Sequence, residues 1–406
     1  MQLGNGRWES TTFNSRLQPT QIALGTTQAA TNLLDLDFAY GTTANNGNVL
    51  SQTISVPSVG ATIGFTAVQS YSYDSLNRLH DAVENVTPNG GSASQSWKQT
   101  FTFDRYGNRR FDEANTTMPD SFETPEVTNP EIDPSNNRLS SSGWSYDSSG
   151  NTTDDPSART FVYDAENKQV SVSDRNGTIG EYSYDGDGKR VKKVVPSTGE
   201  TTIFVYDAAG KLVAEYSTEV ASTNDAKVAY LTSDHLGSPR INTDANGEVT
   251  ARHDYHPFGE EIVSSQRTGG LGYGDDSIRK QFTGYERDGE TGLDYANARY
   301  LYTSLGRFAS IDPIGITLAR IVDPQQINRF IYTRNNPQKY VDSDGKDLKL
   351  KSGQKKADAD RIIKNLVKLY RKEAGRDAIE RLSKSTFKFE IGAAKLGSEM
   401  NLHKGR

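Results

Sequence analysis

A chain of 406 residues without a single cysteine has no thiolate for nucleophilic or metal chemistry, so any reaction it performs must come from imidazole, carboxylate or hydroxyl groups. Histidine is scarce: the five stand at positions 80, 235, 253, 256 and 403. His253 and His256 lie on either side of Asp254 and Tyr255, a grouping that superficially suggests metal ligation. In an extended strand, however, residues three apart point to opposite faces. His256 also stands just before a Pro-Phe-Gly turn, so both histidines are expected to be structural, with no metal site and no cofactor. No His-Glu-x-x-His, Gly-x-Ser-x-Gly or phosphate-loop motif occurs. Aspartate, in contrast, recurs in one setting, Asp-x-x-Gly or Asp-x-x-Asn, and that setting returns at Asp312 with Gly315 and at Asp342 with Gly345.

The elements that carry these aspartates are repeats. An aromatic or hydroxyl residue, any residue, then Tyr or Phe and Asp-x-x-Gly or Asp-x-x-Asn appears as Tyr71-Ser-Tyr73-Asp74 with Asn77 and as Phe101-Thr-Phe103-Asp104 with Gly107. Further copies are Trp144-Ser-Tyr146-Asp147, Phe161-Val-Tyr163-Asp164, Tyr182-Ser-Tyr184-Asp185 and Phe204-Val-Tyr206-Asp207. Residues two apart share a face of a strand, and aromatic and β-branched types suit a pleated surface. Asp at the start of a turn accepts a backbone N–H two residues on, and Gly or Asn three residues later tolerates a positive φ. Each copy therefore reads as a strand, a tight turn and a returning strand such as Lys189–Val195 or Lys211–Tyr216, a hairpin of about 20 residues. A lone hairpin is not stable, so successive copies must extend a common sheet, either as an open solenoid or as a sheet that curls and closes.

Charge divides the chain. The net −6 is the sum of −15 over residues 1–345 (29 Lys/Arg against 44 Asp/Glu) and +9 over residues 346–406 (17 against 8). All 14 prolines and 19 of the 20 tyrosines precede Lys346, so a boundary is placed there. No apolar run reaches the roughly 18–20 residues of a membrane-spanning helix, and the first thirteen residues lack the basic and apolar regions of an export signal.

At the Tyr-Asp pairs the chain resembles the Rhs, or YD-repeat, family. The resemblance becomes specific further on, where Asp234-His-Leu-Gly-Ser-Pro-Arg240, Thr243-Asp-Ala-Asn-Gly247 and Asp254-Tyr-His-Pro-Phe-Gly-Glu260 look like the ordered signatures of the Rhs-associated core. Phe282-Thr-Gly-Tyr285, Gly292-Leu-Asp-Tyr295, Ala298-Arg-Tyr300, Gly306-Arg-Phe308 and Asp312-Pro-Ile-Gly315 continue the series. Asn328-Arg-Phe-Ile-Tyr332, Asn335-Asn-Pro337 and Asp342-Ser-Asp-Gly345 close it. The organisation expected is β-rich incomplete repeats over 1–69, YD repeats over 70–230, the Rhs core over 231–345 and a variable effector segment, cut short, over 346–406. The expected fold is all-β, with YD-repeat hairpins forming a spiral, shell-like, incomplete sheet, followed by a small α+β C-terminal segment.

The resemblance implies a hollow shell that encloses the polypeptide following the core, and a core that cuts its own chain just past its last motif. That self-cleavage is similar to aspartic-protease chemistry. By position the two carboxylates are Asp312 and Asp342, with Asp323 a rival for the first, and the scissile bond is Lys346–Asp347. Two close carboxylates repel, so one retains a proton as general acid while the other activates water. The same residues also fit the Asp-x-x-Gly turn pattern, and on that reading they are turn aspartates only.

Beyond the boundary the period changes from 2 to 3.6. Ile362, Ile363, Leu366, Val367 and Tyr370 share a face of a helix expected over Lys355–Lys372, Asp377–Leu382 suits a second, and Thr386–Ile391 alternates as a strand. The partners implied by the resemblance are this segment itself, an immunity protein or secretion apparatus, and nucleic acid only if the effector is a nuclease; localisation is secreted or at the cell surface. A different class of function, binding of carbohydrate or a partner surface by a wall-associated repeat protein without cleavage, stays open, as does a fragment with neither activity.

Overall fold

The computed structural model describes residues 1–118, 124–218, 228–274, 276, 278–314, 320, 324–346 and 349–350. The expected α+β segment and its helices, Asp323, Asp347 and His403 lie outside these residues. Two compact units are present, one of residues Met1–Pro313 with Asn328–Gly353, the other of Ile314–Ile327 with Gln354–Arg406. Of the second, the described residues include a single 3-10 turn, Pro324–Gln326, and a hydrogen bond from Arg320 Nη1 to the Ile314 carbonyl at 3.0 Å.

The first unit is built from antiparallel meanders in which each strand pairs with the next in sequence. Eight strands from Trp8–Phe13 to Arg109–Phe111 form one sheet, and eight from Ser145–Tyr146 to Leu212–Ser217 form another. Alternation decides which face is buried. In Phe65–Tyr73, Phe65, Ala67 and Tyr71 point inward while Thr66, Val68 and Ser70 alternate with them.

The turns explain the repeat. Asp185 Oδ1 accepts the N–H of Asp187 at 3.0 Å and of Lys189 at 2.9 Å, and the Asp185 N–H donates to the Lys189 carbonyl. The same pair of side-chain bonds recurs at Asp74, Asp104, Asp164, Asp207, Asp234 and Asp244. The residue three positions on has a positive φ, 74° at Gly188 and 62° at Asn77. The tyrosine of the pair reaches back to the preceding repeat: Tyr184 Oη donates to the Gln169 carbonyl at 2.7 Å and Tyr206 Oη to that of Arg190 at 2.9 Å. The basic residue after one turn then lies over the next tyrosine, Lys168 over Tyr184 and Lys189 over Tyr206.

Both sheets pack on residues 231–345. The first buries Trp97, Phe101 and Phe111 with Phe258, Phe282, Phe308 and Tyr332, and the second buries Phe161, Val172 and Tyr182 with Leu293, Tyr295, Tyr300 and Tyr302. This segment also stitches the turns together through asparagines. Asn108 bonds Asp104 in its own turn at 2.8 Å and Asn137 in the next hairpin at 2.7 Å, and receives Asn328 Nδ2 at 2.5 Å. Asn336 Nδ2 likewise donates to Asn48 at 3.0 Å and to the Asn77 carbonyl at 2.7 Å.

Asn108 therefore joins three segments from a buried position. Asn108→Ala is expected to lower unfolding free energy by about 1–3 kcal/mol, because the Asp104 carboxylate and the Asn328 amide lose their partner. Urea unfolding of the two proteins checks this; an unchanged midpoint would mean the turn row contributes nothing to stability.

Candidate self-cleavage site

The last motif of the core closes a hairpin whose strands are Tyr340–Val341 and Lys349–Leu350, paired antiparallel. In sequence the expected cleavage junction, Lys346–Asp347, lies between these two strands. Asp342 begins that loop as a repeat-type turn aspartate: its Oδ1 accepts the Lys346 N–H at 3.0 Å, and Gly345 has φ +68°. A side chain at Gly345 would be strained by that φ and would meet the Ala296 carbonyl at 2.2 Å. Through Oδ1, Asp342 makes the bond of a turn aspartate.

Its other oxygen is engaged differently. Oδ2 accepts Arg299 Nη2 at 2.9 Å, and the same nitrogen lies 3.6 Å from Asp312 Oδ2. The two sequence-chosen carboxylates, 30 positions apart, are therefore brought to one guanidinium, with neither more than 6% exposed. Arg299 is held by everything around it. Its Nε donates to the Gly345 carbonyl at 2.6 Å, Nη1 donates to the Arg329 carbonyl at 3.0 Å, and its plane sits 3.5 Å from the centre of the Phe308 ring. The Asp312 N–H donates to the Arg329 carbonyl at 3.1 Å, and the Arg329 guanidinium returns a bond to the Asp312 carbonyl. The Tyr285 hydroxyl donates to the Asp342 carbonyl, fixing the start of the loop.

Burial, assisted by the nearby Asp344 and Asp312 carboxylates, pushes Asp342 up to about 6, against the opposing pull of Arg299 and the Lys346 N–H. One member of the pair thus keeps its proton to a higher pH than an ordinary aspartate does. Arg299 carries the geometry, yet in the sequence it was only the middle residue of Ala298-Arg-Tyr300; the signal was its place in a family signature, not its spacing from either aspartate. Of the junction, Lys346 is placed by its N–H on Asp342, whereas Asp347 and the rival Asp323 are outside the described residues.

His253 and His256 are both buried. His256 packs edge-on against Trp97 with ring centroids 4.5 Å apart, and burial, with Arg267 nearby, pushes it down to about 3. His253 lies between Glu261 (2.8 Å) and Asp276 (3.3 Å), which outweigh its burial and raise it to about 9. No cluster of metal-binding groups occurs among the described residues, and no helix among them is long and apolar enough to cross a membrane.

Comparison with known proteins gives this arrangement its relatives. The teneurin YD-shell family profile matches residues 144–338. The tRNA3(Ser)-specific nuclease WapA of Bacillus spizizenii is 28% identical over 267 residues, and toxin subunit YenC1 of Yersinia entomophaga is 25% identical over 305. Those alignments cover 60% and 68% of this chain but only 11% and 29% of the relatives' lengths. The solved structure of TcdB2-TccC3 without its hypervariable C-terminal region superposes with a TM-score of 0.62 at 19% identity, over 85% of this chain and 18% of that one.

The chain is similar to the Rhs/YD-repeat family, most directly over residues 144–338. Its fold is the all-β, shell-type sheet of that family, and toxins are prominent among its relatives. In this protein the raised Asp342 makes a thermodynamic prediction independent of cleavage. The folded state holds a proton that the unfolded state releases near pH 3.8, so the native advantage is complete below that pH and is lost as pH rises through about 6. Asp342→Asn removes up to about 3 kcal/mol of this penalty. Its denaturant midpoint relative to the parent should therefore rise between pH 4 and pH 7; a constant offset would show that Asp342 titrates normally.

Proposed function

We propose that this protein is a toxin-type Rhs/YD-repeat shell that encloses its C-terminal effector segment and releases it by a single aspartyl self-cleavage at Lys346–Asp347. The observation that carries this reading is the convergence of Asp312 and Asp342 on Arg299, with the same arginine on the Gly345 carbonyl one residue before the junction. Asp342, which keeps its proton up to about pH 6, is the general acid and delivers it to the amide nitrogen of Asp347. Asp312 is the base that takes a proton from the attacking water. The water oxygen bonds to the Lys346 carbonyl carbon as the C–N bond breaks, leaving a new carboxylate and amine. Arg299 positions both carboxylates and the strand of chain leading to the bond, and opposes the ionisation penalty that burial imposes.

Retention of the segment after the cut is supported by charge, since residues 346–406 carry +9 against −15 for the body. Secretion or surface display, and engagement of an immunity protein or delivery apparatus, belong to the same reading. The effector's own activity is carried by the segment beyond Lys346.

Intact mass of the chain bearing a C-terminal tag tests the chemistry. The parent should resolve into two fragments that meet at Lys346–Asp347, while Asp312→Asn and Asp342→Asn remain whole. Cleavage should slow as pH rises from 6 to 8, because Asp342 loses its proton. A parent that stays uncut removes the self-cleavage reading, and cutting that survives both substitutions removes the residue assignment.

A further inference from the structure

A second group of reactive side chains lies away from the junction, where the second repeat sheet meets the core. Lys193, in the strand Arg190–Val195, extends its ammonium to Asp288 Oδ1 at 3.0 Å and to Glu290 Oε2 at 3.1 Å. The three side chains are 3%, 0% and 6% exposed. Arg190 Nη1 holds the other oxygen of Asp288 at 2.5 Å and Tyr300 Oη at 3.1 Å, and Tyr182 Oη donates to Glu290 Oε1 at 2.8 Å. The rings of Tyr182 and Tyr300 lie 5.7 Å apart beside the group. A buried amine is thus in contact with one carboxyl group and a second carboxyl group touches the same amine, an arrangement that neither turn formation nor self-cleavage uses.

Burial of ions is costly, and a neutral product would relieve that cost. We propose that Lys193 and Asp288 condense to an intramolecular isopeptide bond, covalently tying the repeat sheet to the core. The hydrogen bond between Lys193 Nζ and Asp288 Oδ1 passes one proton, converting the ion pair into a free amine and a carboxylic acid. Nζ then attacks Cγ, and Arg190 on Oδ2 stabilises the charge that develops there. Glu290 takes the second proton from Nζ and gives it to the departing hydroxyl. The C–N bond forms, the Cγ–Oδ1 bond breaks, and one water leaves; no oxidant or co-reactant is needed. Both Lys193 and Glu290 line a cavity of about 1050 Å³, which gives that water a way out. Proximity of this kind substitutes for the activation an intermolecular amide would require.

The experiment is mass spectrometry of the purified chain, intact and after trypsin. The expected body is lighter than its sequence by one water, trypsin fails to cut after Lys193, and a branched peptide joins Lys193 to Asp288. Asp288→Asn should yield the identical linked product by losing ammonia, and Glu290→Gln should slow the condensation. Lys193→Arg should carry its full sequence mass and melt at a lower temperature. Both residues lie in the body, so the outcome is the same whether or not the junction is cut. A parent of full sequence mass that trypsin cuts after Lys193, even after prolonged incubation, overturns the proposal.

Discussion

The turns at Asp74, Asp104, Asp164, Asp185, Asp207, Asp234 and Asp244 are each closed by one carboxylate oxygen that accepts two backbone N–H groups, those of the residues two and four positions on. That interaction fixes where a strand ends, forces a positive φ at a set place, and starts the returning strand in register. The rest follows by repetition. With every turn of the same shape, the Tyr before one aspartate meets the backbone of the preceding hairpin, and the Lys after one turn lies over the next Tyr. A meander of eight strands is then the sum of equal local decisions, with few long connections to close.

The core segment converts two such meanders into a single packed unit by supplying what they lack. Its aromatic residues cover the inner faces of both sheets, and its asparagines bond the turn row edge-on. Its arginines carry the buried charge: Arg267 joins Glu84 of the first sheet to Asp254, and Arg240 holds the other oxygen of Asp254. Burial alone would raise Asp254, but these two guanidinium groups more than reverse it and hold the carboxyl well below the usual range. The order of family signatures along residues 231–345 is therefore an order of contacts.

At the last motif of the core the protein reuses its own turn. Asp342 keeps the repeat aspartate's bond to the N–H four residues on, while its second oxygen is drawn to Arg299 and towards Asp312. The two descriptions of this residue, turn former and member of a carboxylate pair, are compatible because a carboxylate has two oxygens and each takes one role. The turn delivers the chain to the pair, and the shared arginine keeps two buried acids together that would otherwise repel.

By itself the sequence determined the local units: the alternating strands, the Asp-x-x-Gly turns, the family resemblance, and the choice of Asp312 and Asp342 as a pair. These were legible because each is a short pattern whose physics is complete within about ten residues. Arg299 and the contacts of Lys193 with Asp288 and Glu290 were not legible. Their partners are 13 to 97 positions away, on segments whose neighbours depend on how the sheets pack on the core. Only the tertiary structure decided which carboxylate met which cation, because burial and distance in space, not spacing along the chain, set the electrostatic interactions.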